Sequence, residues 1–336
     1  MEKIKPFNET LTSAEMGKLW ITYSGNTMAK CILRYYLQHV DDPDIKKVVE
    51  NALQLSEKIV EEIKDIFIHE NFPIPHGFTE DDVNLNAPRL FADEFYLWYL
   101  QYTGKAGMSI YSIAIPLMTR EDIRDLFTTI LRDTVKLLSK VNQTLTEKGF
   151  YVEPPHIPTP EKVDFIKKQS FLNGFIGEVR PLHAMEITHL YDTTENNLAS
   201  KALLIGFSQV AESEWLRKYF IRGKEITNKH IEICSDQLHN SSLPSLPLKD
   251  HLVSESTVSP FSDKIMLAHK IDMFSMKIRT AGNALSLNGR KDIAKIYSKF
   301  LMDIGLYVED GIKHMIDEGW MEQPPLAVDR AKLASD

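Results

Sequence analysis

Apolar residues recur at three- and four-residue spacing through four long segments of the first half of the chain, at about residues 12–39, 43–69, 92–116 and 120–148. That period belongs to amphipathic helices, and segments this long suit bundle helices rather than strands. Polar punctuation separates them. DDPD at 41–44 reads as a turn with an aspartate cap ahead of the second helix, and TRED at 119–122 as a threonine cap with acid in the first turn of the fourth. EKGFYVEPP at 147–155 ends the fourth helix with a glycine suited to a left-handed cap and prolines that block continuation. The joins between helices one and two and between three and four are a few residues. HENFPIPHGFTEDDVNLNAPRL (69–90), between two and three, is long enough to cross a whole bundle. Short, long, short connections predict an all-α, ferritin-like four-helix bundle with a crossover between helices 2 and 3.

The pattern then repeats. SAEMGKLW (13–20) lies over AMEITHLY (184–191) at a shift of 171, which also sets Glu15 on Glu186, Asn26 on Asn197 and Lys30 on Lys201. One residue is lost in the crossover, and a shift of 170 then sets Phe91 on Phe261, Asp93 on Asp263 and TREDI (119–123) on GRKDI (289–293). The closing DEGWMEQPP (317–325) duplicates the stop at 147–155. Self-similarity of this kind predicts a tandem duplication, with bundles at 10–155 and 180–325. The joining stretch 156–179 begins proline-studded, but VDFI and SFLNGFIG give it enough apolar character to predict a packed linker clamping the units. The third helices are apolar on most sides: FYLWYLQY (95–102) in the first unit, and Leu267, Ile271, Phe274 and Ile278 opposite Ile265, Met266, Met273 and Met276 in the second. A helix apolar all round is buried all round, so these faces are expected to join the two bundles or two chains.

Composition narrows the function. With 336 residues, 43% hydrophobic and 26% charged, each unit can bury a core. A net charge of −8 repels phosphate backbones, so nucleic acid is not an expected partner. Cys31 and Cys234 fall in different units and imply no disulfide framework. No run approaches a membrane span, and MEKIKPFNETLTSAEMG lacks a signal-peptide core, so the expected location is cytoplasmic.

The bundle topology raises a di-metal carboxylate site, which needs Glu-x-x-His on two helices. The first unit lacks it. The second offers Glu186 and His189 at that spacing, Asp236 and His239 likewise, and His230 midway along its second helix. These five are the candidate ligands for iron, manganese or zinc, although no cofactor is expected. The helical wheel sets His230 on the core stripe of Tyr219, Ile226 and Ile233, turns Asp303 away from the Leu301, Ile304, Val308 and Ile312 core stripe of its own helix, and puts His314 and Asp310 on a solvated face. Glu186 and His189, in a first turn, read more simply as cap and dipole partners. Tyr96, Tyr99, Met266 and His269 are candidates for an inter-bundle pocket, with His269 an inter-bundle hydrogen-bond donor. Walker, dinucleotide-binding, G-x-S-x-G, H-E-x-x-H and paired C-x-x-C motifs are absent.

LTSAEMGKLW, NFPIPHGFTEDDVNLNAPRLF, YVEPPHIPTPEKVDFIKKQSFLNGF and GWMEQPPLAVDR together resemble the family called domain of unknown function 3231, over essentially the whole chain. The resemblance implies a tandem ferritin-like protein of spore-forming bacteria, to which spore-coat-like labels have been attached, and it carries no catalytic residues. The expected function is accordingly non-enzymatic: assembly or partner binding through the third-helix faces, in sporulating or stressed cells. The alternatives are a metal or small-ligand binder with its site in the second bundle, and an enzyme acting in the inter-bundle pocket.

Overall fold

The computed structural model describes residues 10–287 and 289–334. Eight long helices carry the fold: α1 Ser13–His39, α2 Pro43–His69, α3 Asp93–Ala114 and α4 Glu121–Glu147, then α5 Ala184–Val210, α6 Glu214–Asn240, α7 Asp263–Leu287 and α8 Lys291–Asp317. The chain is all-helical and duplicated, and every helix of the first unit starts 170 or 171 residues before its counterpart. Among the described residues extended pairing is limited to two isolated antiparallel bridges, Val83 with Phe261 and Phe91 with Val253.

Four acidic residues fix the order of the helices. Glu15, in the first turn of α1, accepts from the backbone N–H of Thr119 (3.0 Å) and Arg120 (2.9 Å) at the start of α4. Asp93, at the start of α3, accepts from the N–H of Asp41 (3.1 Å) and Asp42 (2.7 Å) in the α1–α2 turn. α1 and α4 therefore start at one end of the bundle, while α2 and α3 start at the other, and the crossover must travel the full length between them. The second unit repeats the device. Glu186 accepts from Arg290 N–H (3.0 Å), and Asp263 from Glu212 (3.0 Å) and Ser213 (2.8 Å). Each carboxylate satisfies N–H groups that a helix start leaves without partners, and opposes the positive end of the helix dipole. The threonine cap expected at 119 is corrected by this arrangement. The N-cap of α4 is Arg120 with no side-chain cap, and the Thr119 hydroxyl donates to Glu15 instead (3.0 Å).

The two units face each other across an internal two-fold. Asn84 N–H donates to Pro260 (2.8 Å) and Ala92 N–H to Leu252 (2.9 Å); in return Ser254 N–H donates to Leu90 (2.9 Å) and Ser262 N–H to Asp82 (3.0 Å). The second pair of bonds is the first with the units exchanged, as an isologous contact requires. α3 and α7 meet along the axis. The hydroxyl of Tyr99 lies 2.9 Å from Nε2 of its own counterpart His269, and Tyr102 donates to the Met273 carbonyl (2.5 Å). Tyr96, Tyr99, Met266 and Met273 are consequently buried, so the third-helix faces offered to an outside partner are covered within the chain.

Gly149 (φ +72°) and Gly319 (φ +67°) take the left-handed conformation after α4 and α8. The twin endings are helix stops, and each also ties its unit to the other: the Tyr191 hydroxyl donates to the Val152 carbonyl, while Glu322 accepts from His76 (2.7 Å) and Gly77 (3.0 Å). The linker differs from expectation. Val163 is 88% exposed and Ile176 85%, with Phe165 and Ile166 also in solvent. The later part of the linker does touch the second unit: Phe171 lies beneath the Arg180 guanidinium at 4.0 Å, and the Lys295 amine is 5.2 Å from the Phe175 ring. Apolar composition alone did not bring Val163, Phe165, Ile166 and Ile176 to a surface.

Candidate functional site

The cores of the two units are built differently. In the second, Leu190, Leu204, Phe220, Phe274, Phe300 and Tyr307 belong to one continuous cluster, which also takes in one end of the first unit through Met28, Leu33, Tyr99 and Leu145. At its other end the first unit has a separate cluster around Leu19, Tyr23, Ile63, Phe67 and Phe127. Between these two clusters lies a cavity of about 410 Å³. It follows α1 from Ile21 to Leu33, roughly 18 Å at 1.5 Å per residue. Small residues make the space: Gly25 and Ala29 on α1, Ala52 and Ser56 on α2, Gly104, Ala106 and Gly107 on α3.

The second unit furnishes one wall. α7 contributes His269, Asp272, Ser275 and Arg279, α8 contributes Ile312 and Met315, and the segment after it contributes Met321. Ile21 and Met321, each 49% exposed, mark the opening. Most of the surface is aliphatic, with Thr22, Ser24, Asn26 and Tyr111 as neutral polar points. Asn26 donates to the Thr22 carbonyl (2.8 Å) and to the Tyr111 hydroxyl (3.4 Å), whereas the hydroxyls of Thr22 and Ser24 have no partner. Burial drives the His269 imidazole down to about 3, Lys270 adding to the effect, so that ring is neutral. Burial pushes the Asp272 carboxyl up, against the pull of Arg279.

The equivalent volume of the second unit is filled. Gly104, Ala106, Gly107 and Leu137 are replaced there by Phe274, Met276, Lys277 and Tyr307, all buried. The Lys277 amine, carried below the ordinary lysine range by burial, donates to the Thr227 hydroxyl (3.2 Å) and lies 4.0 Å from the Phe274 ring. A pocket of about 10 Å³ lies there between His230, Lys277 and Phe300.

The residues proposed as metal ligands are dispersed. Glu186 has both oxygens occupied: Arg180 reaches them through two nitrogens at 2.8 Å, and the N–H groups of His183 and Arg290 add 3.0 Å bonds. Against burial, these donors take its carboxyl down to about 2. His189 is half-buried, and Asp236 and His239 are exposed near the end of α6. His230 is buried and stacks on Phe300 at 3.8 Å; burial, then Lys277, pushes it down to about 3. Asp303, which the wheel turned away, has its carboxylate 3.6 Å from His230 Nε2, beyond hydrogen-bond length. His314 is likewise corrected. It is stacked 3.7 Å from the Trp215 ring rather than solvated. Among the described residues no three His, Cys, Asp or Glu side chains gather so as to hold a metal ion.

Of the four inter-bundle candidates, Tyr99 and His269 line the cavity, while Tyr96 and Met266 are packed behind it. Asp272, Arg279 and the small residues of α1 and α3 escaped the sequence reading. A signal was present: two glycines inside an otherwise apolar helix, at Gly104 and Gly107, opposite bulky residues in the duplicate.

Fold and cavity together define a two-unit helical protein with a composite interior site. The chain belongs to the family described as protein of unknown function, DUF3231, whose model matches twice, over residues 1–163 and 170–333. A solved structure from Bacillus halodurans C-125, described provisionally as a spore coat protein, is similar at 20% identity, covering 45% of this chain and 98% of that one with a TM-score of 0.41. No curated protein matches the chain. Among the described residues no helix is long and apolar enough to cross a membrane.

Proposed function

We propose that the protein binds an elongated, apolar small molecule in the cavity of its first unit and performs no chemistry on it. The observation that carries this reading is the cavity itself, in the range of about 300–1,000 Å³ usual for ligand sites and lined mainly by aliphatic groups with a few polar points. Left empty, such a space forfeits the packing contacts of its aliphatic walls, a cost that in sealed cavities grows by about 24 cal/mol per Å³. Water offsets such a cost only where it finds polar partners, which here are few. An apolar occupant removes the cost along the whole length. This reading favours the first unit over the metal or small-ligand site expected in the second bundle, and it shares Tyr99 and His269 with the expected inter-bundle pocket.

The test is titration with a neutral, environment-sensitive apolar dye such as N-phenyl-1-naphthylamine. Saturable binding of one dye per chain, lost in Gly25→Leu with the helical fold retained, is expected. Absence of saturable binding, or binding indifferent to Gly25→Leu, overturns the reading.

A second reading, partner binding, is favoured by one observation: Val163, Phe165 and Ile166 stand in solvent on the linker. A pull-down that loses its partner when all three become serine would support it. Sporulating or stressed cells are the proposed setting for either role, supported by the family resemblance.

A further inference from the structure

We infer that the ligand is a single-chain amphiphile with an anionic head, and that Arg279 of the second unit receives that head inside the cavity of the first. The inference rests on the binding reading above and specifies its ligand.

Arg279 is the one lysine or arginine among the residues that line the cavity. Its Nε donates to the Ser109 hydroxyl on α3 (3.1 Å), which anchors the guanidinium across the boundary between units. Its Nη2 is buried with no hydrogen-bond partner, and among the described residues it forms no ion pair. A guanidinium keeps its charge at any ordinary pH, so it cannot escape an unpaired position by losing a proton. A cation half withdrawn from water and opposed only by the Asp272 carboxyl, whose ionised form burial disfavours, is costly, and a carboxylate or comparable anion relieves that cost through short, charge-assisted bonds.

The other groups leave this role to Arg279. His269 is neutral and occupied on Nε2 by Tyr99. Asp272 lies two turns earlier on α7, about 10 Å along the helix axis, and an acidic group offers an anion no attraction. Beyond the head, the aliphatic walls accept a chain. Ser109 and Arg279 are counterparts under the 170-residue shift. The duplicate therefore introduced the charge in one unit while the space was kept in the other, and only the internal two-fold brings them together.

Dye displacement separates this inference from the reading beneath it. A sixteen-carbon carboxylate, the matched alcohol and the matched amine compete against N-phenyl-1-naphthylamine on the full chain. The carboxylate is expected to bind about 10- to 100-fold tighter than the alcohol, the usual worth of a hydrogen bond to a charged group. With the dye titrated anew on each variant, Arg279→Gln should bring the two together, and Arg279→Lys should keep part of the difference. Should Arg279→Gln fail to fold, Ser109→Ala tests the same point by freeing the guanidinium, with a several-fold fall in the carboxylate preference expected. Equal affinity for carboxylate and alcohol, or a preference that survives Arg279→Gln, overturns the anionic head while leaving the cavity reading intact. Loss of dye binding to the unaltered protein sinks both.

Discussion

The first unit is hollow and the second is solid, although their helices match residue for residue along most of their length. Gly104 and Gly107 stand where the duplicate has Phe274 and Lys277, and Leu137 where it has Tyr307. These few positions decide whether four helices enclose a core or a chamber. The ends of the two bundles have not diverged in the same way. Glu15 and Glu186 perform the same clamp, as do Asp93 and Asp263. Closing a bundle at its ends leaves its middle free to vary, because the clamps hold the helix starts whatever fills the interior. The second unit then acts as the rigid partner. It supplies the wall of the cavity through α7 and α8, and its closing segment, held by Glu322 at His76 and Gly77, brings Met321 to the opening.

The largest effect should come from hollowing the solid unit. Phe274 is fully buried, with Tyr307 at 4.4 Å, and Phe274→Ala should cost about 3–5 kcal/mol in denaturant unfolding. Trimming a residue at the edge of the existing cavity, Leu55→Ala, should cost clearly less, since part of its surroundings is already empty. Equal losses would mean that the two interiors are alike.

Acid distinguishes the clamps next. Glu186 has a folded-state pKa near 2 against 4.5 for the ordinary group, so its contribution is present above pH 4.5 and lost as pH falls toward 2. The shift corresponds to about 3 kcal/mol. Glu15 is lowered too, through backbone and hydroxyl donors and without an arginine pair. Stability measured between pH 6 and 2.5 should therefore fall less steeply in Glu186→Gln than in the unaltered chain, and Glu15→Gln should flatten it less. A steeper loss in Glu186→Gln would contradict the assignment.

Filling the hollow unit is milder. A Cβ on Gly25 meets nothing within 4 Å, so Gly25→Leu enters open space and removes a helix-interior glycine, with about 1 kcal/mol of added stability expected. The same variant should lose ligand binding, so a rise in melting temperature coupled to loss of dye fluorescence is the expected pair.

The smallest change concerns Lys277, whose amine is held below its ordinary pKa by burial. Because the folded chain holds that proton less tightly than the unfolded chain does, this group makes stability rise with pH up to the ordinary lysine range. In Lys277→Met that rise should shrink, and stability at pH 7 should be unchanged or higher, as the methionine fills the space without a polar group to satisfy. An unaltered pH slope would show that the amine is charged in the fold.

Much of this was legible in the residues. The four segments of the first unit were placed to within about two residues of the observed helices, because caps, glycine stops and apolar period all act locally. Glu15 and Glu186 were visible as recurring positions, but their partners 104 residues away were not. Errors gathered where burial depends on a neighbour. Val163, Phe165 and Ile166 of the linker were expected to pack and lie open, because nothing local says whether a surface is waiting for them. Asp303 was turned away by an ideal wheel, yet its side chain reaches to within 3.6 Å of His230. Histidine counts drew attention to the second unit, while the cavity arose in the first from residues that are mostly small and carry no chemistry of their own.

The sequence by itself determined the all-helical class, the duplication, the crossover connection and the helix stops, since each follows from periodicity, connection length and backbone preference within a few tens of residues. Only the tertiary structure decided that the units face each other across a two-fold, that α3 and α7 cover one another, and that Arg279 reaches the interior of the other bundle. Those depend on which surfaces meet across 170 residues of chain, where shape and packing choose among partners that local preference leaves equivalent.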